Sequence, residues 1–232
     1  MLPQLKKELR QLADPHKAEI LSGFFKTAKG QYGEGDCFLG ITVPQQRQIA
    51  KKYQNLSLRQ LQELLSSRIH EYRLIALLIL ISKYRTADDS GREEICFFYL
   101  NNTKQINNWD LVDLSAHHIL GNYLREKDSS ILRRLAKSEN LWERRIAIMS
   151  TFAFIKEHRF EDTLHLAALL LNDKHDLIHK AVGWMLREIG KKDQKVEEQF
   201  LRKHYQKMPR IMLRYAIERF DKRKRRAYLQ RI

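Results

Sequence analysis

Trp109 and Asp113 stand at i, i+4 in the string Asn108-Trp109-Asp110-Leu111-Val112-Asp113, a spacing that sets an indole face and a carboxylate side by side on one helix surface. Both fall at the edge of an apolar stripe made by Val112, Ala116, Ile119 and Tyr123. From there a side chain can face a groove while its helix stays anchored. A carboxylate so placed can act on a reacting group or close a surface salt bridge, and the spacing alone leaves both open. Asp110 belongs to the first turn, where a carboxylate commonly satisfies free backbone N–H groups and the helix dipole. Two further residues invite the same question. Trp184 lies outside the apolar stripe of its own helix, although so large a ring is normally buried. Arg145 falls at the margin of the stripe holding Trp142 and Met149, at about 100° per residue, whereas Arg144 points nearly opposite. Arg145 can therefore reach a groove, or serve only as an interhelical ion pair.

The elements that must carry these residues are helices. Only 9 Gly and 4 Pro occur in 232 residues, amid long stretches rich in Leu, Ala, Glu, Lys, Arg and Gln, which predicts an all-α protein. Segments around Ala76, Val112, Ala147, Ala181 and Ala216 align on those small residues at separations of 36, 35, 34 and 35. A period near 35 holds two antiparallel helices and a turn, each unit burying its apolar face by stacking on its neighbours. This predicts a superhelical α-solenoid with a concave face. The stripes Trp142, Ile146, Met149, Ala153 and Ile178, Ala181, Val182, Met185, Ile189 have helical spacing. Asn140 with Glu143, and more loosely Asn107 with Asp110, read as helix starts. Gly30, Gly33, Gly35 and Gly40 crowd one segment, which must be an irregular loop. Glu34 and Asp36 within it would repel an anion, so it is not read as a phosphate cradle. No Pro- or Gly-rich linker divides the second half, and residues 1–232 are expected to form a single domain.

Composition removes several classes of function. With 43% hydrophobic residues the chain can bury a core and is not globally disordered. Its longest apolar run, the stretch through Ile75 to Ile81 that begins at Leu74, falls far short of the roughly 20 residues that cross a bilayer. Charges at Lys6 and Lys7 occupy the place of a secretory signal's apolar core. Two isolated cysteines, Cys37 and Cys96, form no disulfide framework, and the adjacent His117 and His118 lack the spacing to share a zinc. A cytoplasmic protein without metal or other cofactor is expected, and no oligomerisation surface is legible, so a monomer is expected.

Against 28 acidic residues stand 43 Lys and Arg, a net charge of +15. Such a surplus points to a polyanionic partner, nucleic acid first; a merely solvated basic surface is the other reading. The densest run, Lys222-Arg223-Lys224-Arg225-Arg226, with Arg202, Arg210, Arg214 and Arg219 nearby in sequence, suits phosphate contact, which gives salt-dependent affinity without base readout.

Four strings carry a resemblance: Phe38-Leu39-Gly40-Ile41 followed by Pro44-Gln45-Gln46-Arg47, then Asn108 to Asp113, then Trp142-Glu143-Arg144-Arg145, then Lys180-Ala181-Val182-Gly183-Trp184-Met185-Leu186-Arg187-Glu188. In this order they resemble the AlkD-like DNA glycosylases. The resemblance implies HEAT-like repeats whose concave basic face holds double-stranded DNA. It also implies base-excision DNA repair, in which cationic alkylated purines such as N3-methyladenine and N7-methylguanine are released. By that resemblance Asp113 is the catalytic carboxylate, and Arg145 keeps it ionised and oriented and touches the DNA backbone. Trp109 and Trp184 cradle the lesion nucleotide without obligatory base flipping. Arg47, Arg187, Arg210 and Arg214 are candidate DNA contacts. Some relatives carry a tyrosine in the first repeat near the lesion; its counterpart here is Phe24, so the hydroxyl is missing, and Tyr32 in the following loop either replaces it or only packs. The alternative from another class is a non-catalytic repeat protein that recognises unusual duplex structure; a protein-binding HEAT scaffold ranks behind both.

Overall fold

The computed structural model describes residues 1–230. Among them there are helices and loops, and one isolated backbone bridge between Cys37 and Ile69 is the sole extended pairing. Contacts within the chain group it into two compact units, Met1–Ser115 and Ala116–Ile232.

The first unit contains α1 (Leu2–Gln11), α2 (Pro15–Phe24), α3 (Val43–Lys52), α4 (Leu58–Leu65), α5 (His70–Thr86), α6 (Asp89–Asn101) and α7 (Trp109–Ser115). Helix starts follow local chemistry: Asp14 accepts from the Lys17 N–H ahead of Pro15, Ser57 and Gln60 exchange reciprocal bonds, and Asp88 accepts from the Gly91 N–H. These satisfy N–H groups that the first turn of a helix leaves over. The apolar run Leu74–Ile81 is the buried middle of α5, against which α3, α4, α6 and α7 pack. In contrast, α2 buries none of its residues.

The second unit opens with a wide turn at His117–Gly121, in which the Gly121 N–H donates to the Ala116 carbonyl at 2.9 Å. Then come α8 (Asn122–Leu124), α9 (Ser130–Ala136), α10 (Leu141–Ser150), α11 (Phe152–Lys156), α12 (Glu161–Leu169), α13 (Asp176–Lys192), α14 (Gln194–His204), α15 (Arg210–Ala216) and α16 (Lys222–Leu229). The wide turn interrupts the helix that the stripe through Tyr123 predicts, and it sets Gly121 against α10, where a Cβ would lie 2.2 Å from the Ser150 carbonyl. Helix α13 is the hub, packed on α10, α12, α14 and α15.

The repeat is visible in both units. Ala76, Val112, Ala147, Ala181 and Ala216 are all buried, in α5, α7, α10, α13 and α15 respectively. Both long stripes of the second half are buried throughout, the first running past the break at Thr151 into α11. Asn140 starts α10 as expected, its side chain accepting from the Trp142 N–H at 2.9 Å, two residues on, rather than through a box with Glu143. At α7 the cap shifts by one residue: Asn108, not Asn107, accepts from the Trp109 N–H at 2.8 Å, and its carbonyl receives the Val112 N–H. Asn107 is excluded because α7 begins at Trp109, so Asn108 is the half-in residue next to it.

Candidate functional site

Helix α7 presents Trp109 and Asp113 one turn apart, both half-buried. Trp109 belongs to an aromatic ladder within the first unit. Its ring stacks on Phe25 (5.1 Å, 29°), Phe25 stacks on Phe38 (5.1 Å, 12°), and Phe38 stacks on the His70 imidazole (4.6 Å, 23°). Phe24, 61% exposed, meets Trp109 edge-on at 5.8 Å. The Trp109 indole N–H donates to the Tyr32 hydroxyl at 3.3 Å. Phe24, Tyr32 and Trp109 are thus brought together, and Tyr32 touches the indole directly. Beside them a cavity of about 240 Å³ is lined by Ile20, Phe24, Phe38, Gln46, His70 and Asp110 among others.

Asp113 is close enough to the fully buried Tyr99 for its charge to help push the phenol above the ordinary tyrosine range, after burial as the main cause. Tyr99 in turn bonds Ser115 at 2.9 Å, so the residues around Asp113 on α7 are tied into the core. Asp110 does two jobs. One oxygen accepts from the Leu111 N–H at 2.8 Å, the expected first-turn role, and the other meets His70 Nε2 at 2.8 Å.

That second contact opens onto a buried polar cluster that spacing did not reveal. His70 Nδ1 faces Asp36 at 3.3 Å, Arg73 pairs with the same Asp36 oxygen at 2.7 Å, and Asn108 donates to it at 3.3 Å. Burial alone would raise the Asp36 carboxyl; the His70 hydrogen bond and the Arg73 guanidinium together hold it below its ordinary value. Next to this cluster, the buried Glu71 carboxylate receives the backbone N–H groups of Leu39, Gly40 and Ile41, at 2.8 Å for Gly40. That accounts for the Phe38-Leu39-Gly40-Ile41 string, since Gly40 has φ +81° and its Cβ would strike the Asp14 carbonyl. The available signal was His70-Glu71 and Arg73 directly ahead of the most apolar run in the chain: charges on a helix with no solvent face must find partners.

In the second unit Arg145 is 4% exposed, and its guanidinium donates to the Leu177 carbonyl of α13. Arg144 pairs with Asp173 at 2.6 Å. Trp184 is half-buried, donates to Glu188 at 2.9 Å and lies 6.5 Å from the Phe152 ring. Gly183 beside it approaches α15 so closely that a Cβ would sit 2.4 Å from the Met212 carbonyl. Arg187 pairs with Glu218 and with Glu188, so a phosphate contact there would displace an ion pair. Arg210 donates to the Leu229 carbonyl at 3.2 Å and is exposed, as are Arg214 and, in the first unit, Arg47. Among the described residues no group of three or more His, Cys, Asp or Glu is arranged to hold a metal ion, and no helix is long and apolar enough to cross a membrane.

A profile of the family described as DNA alkylation repair enzyme matches residues 5–220. The chain belongs to that family. This DNA alkylation repair family member is similar in fold to a predicted DNA alkylation repair enzyme from Enterococcus faecalis (TM-score 0.69, 16% identity, covering 90% of this chain and 97% of that one). It is likewise similar to AlkD2 from Streptococcus mutans (TM-score 0.58, 18% identity, 94% and 99% covered). No curated protein matches it. The helical-repeat architecture is therefore shared with these structures, at identities that speak for fold alone.

Proposed function

We propose that the protein is a DNA glycosylase that acts as a monomer on double-stranded DNA and releases N3-methyladenine and N7-methylguanine without obligatory base flipping. The observation that carries this reading is the pair on α7, a half-buried carboxylate one helical turn from an indole, in a chain of the DNA alkylation repair family. Alkylation at N3 or N7 leaves the purine cationic, so it departs as a neutral base with the electron pair of the C1′–N bond and needs no general acid. The deoxyribose left behind develops positive charge. Asp113 stabilises that charge and accepts a proton from the water whose oxygen bonds to C1′ on the face opposite the departing base. Trp109 supplies an aromatic surface against the sugar. The resemblance also assigns site roles to Trp184 and Arg145 of the second unit. Phe24, without a hydroxyl, contributes contact area, while Arg47, Arg187, Arg210 and Arg214 contribute phosphate affinity that falls with salt.

The test is Asp113→Asn, assayed for release of free N7-methylguanine and N3-methyladenine from methylated duplex DNA. Release is expected to fall by at least about a hundredfold with DNA affinity little changed. Normal release by the variant eliminates the mechanism. Salt-dependent DNA binding with no release by either chain favours a non-catalytic binder of unusual duplex structure.

A further inference from the structure

We propose that His70 is a positioning residue: its imidazolium, gripped between Asp36 and Asp110, fixes the first turn of α7 and couples that turn to the glycine-rich loop. The catalytic consequence rests on the glycosylase reading; the clamp itself does not.

Geometry and the surrounding charge together favour the protonated ring. Nε2 lies 2.8 Å from an Asp110 oxygen and Nδ1 lies 3.3 Å from an Asp36 oxygen, while His70 is 2% exposed. A neutral imidazole carries a single N–H: with it on Nε2 the ring donates to Asp110 and accepts at Nδ1 from Arg73 Nη2, but it then turns a lone pair towards Asp36, whereas the imidazolium donates to both carboxylates. The Phe25 and Phe38 rings stack on the imidazole at 5.2 and 4.6 Å. The remaining charged neighbour, Arg73, opposes the charge with Nη2 at 3.4 Å from Nδ1, but it pairs with the same Asp36 oxygen. Around His70 the loop supplies Asp36, the start of α7 supplies Asp110, and α5 supplies Arg73. With the imidazole charged, two anions face two cations. Burial works against the charged ring, and the Asp110 hydrogen bond and charge, with Asp36, outweigh it and raise His70 above its ordinary value.

The anchored turn is the one that matters. Helix α7 has seven residues, too few to hold a helix without tertiary anchors. Asp110 lies between Trp109 and Asp113 on it. The loop is tied at both ends of the same span, through Asp36 to His70 and through Tyr32 to the Trp109 indole. One charged ring thus sets the orientation of the indole and, a turn later, of the carboxylate. A folded value above the unfolded one means the clamp is complete below the ordinary histidine value and released as pH rises through the folded value.

Two variants, His70→Gln and Asp110→Asn, test this by hydrogen exchange, single-turnover N7-methylguanine release and DNA affinity. In His70→Gln, exchange in 109–115 and 30–40 is expected to rise about tenfold while exchange in α13 is unchanged. Release is expected to fall about tenfold with DNA affinity within about twofold. Release by the wild-type chain is expected to decline on the alkaline side, and Asp110→Asn, which removes one anionic partner, to move that limb to lower pH. A role in stability alone would lower melting without moving the limb. A folded His70→Gln chain with wild-type exchange overturns the proposal, as does a limb that Asp110→Asn leaves in place. If the wild-type chain releases no base, the glycosylase reading fails while raised exchange in His70→Gln still supports the clamp. If His70→Gln does not fold, Asp110→Asn carries the same exchange measurement, since its amide oxygen still accepts from the Leu111 N–H.

Discussion

Asp36, Glu71 and Glu197 are buried among the described residues, and the first and last of them meet opposite fates. Asp36, in the first unit, is 8% exposed and surrounded by donors: Arg73, His70 and Asn108 all reach it, and it stays ionised. Glu197, on α14 in the second unit, is 1% exposed, and its Oε1 has no hydrogen-bond partner among the described residues. Burial, reinforced by the neighbouring Glu198, pushes Glu197 up to about 8, with Arg187 offsetting only part. Burial costs both groups; the partner decides the charge state. The first unit uses its buried charge to orient a short helix, whereas the second builds its Trp184 helix from an apolar stripe and the close approach of Gly183, which needs no ion.

The contrast can be broken most severely at Arg73. Arg73→Met leaves Asp36 buried without its guanidinium and is expected to cost about 3–5 kcal/mol in urea unfolding at pH 7; a loss below about 1 kcal/mol would mean that His70 and Asn108 suffice. Glu197→Gln should act the other way. Because the folded value of Glu197 is raised, stability is fully present below the ordinary glutamate value and is lost as pH rises towards about 8. The amide is therefore expected to stabilise by on the order of 3 kcal/mol at pH 8 and by nothing near pH 4, read from melts across that range. An equal gain at both pH values would refute the assignment. The smallest effect is expected at Gly190, where an added Cβ would lie 1.7 Å from Glu197 Oε2. That oxygen ends a flexible side chain, so Gly190→Ala should change stability by only about 1 kcal/mol. It should also move the Glu197 titration down as the carboxylate is displaced towards water, which a pH series of the variant would reveal.

Much of the architecture was legible from residue pattern. The period near 35 placed Ala76, Val112, Ala147, Ala181 and Ala216 in five separate buried helices, because a repeat that buries its seam must keep that position small and apolar. Asn140 was readable as a cap because capping needs only residue type and an offset. His70 was not readable: its partners Asp36 and Asp110 are 34 and 40 residues away, and no local rule pairs groups at such separations. The wide turn at His117–Gly121 escaped for a related reason, since Gly121 answers to the Ser150 carbonyl rather than to its neighbours.

By itself the amino-acid order determined that this chain is helical, repetitive and strongly basic, and it singled out Trp109 and Asp113 as one-turn neighbours, since periodicity, charge and i, i+4 spacing are local properties of a chain. Only tertiary structure decided which buried charges are paired, that Tyr32 touches the Trp109 indole, and that His70 joins the loop to α7. Those depend on desolvation and on contacts between distant segments, which come into being only when the chain folds.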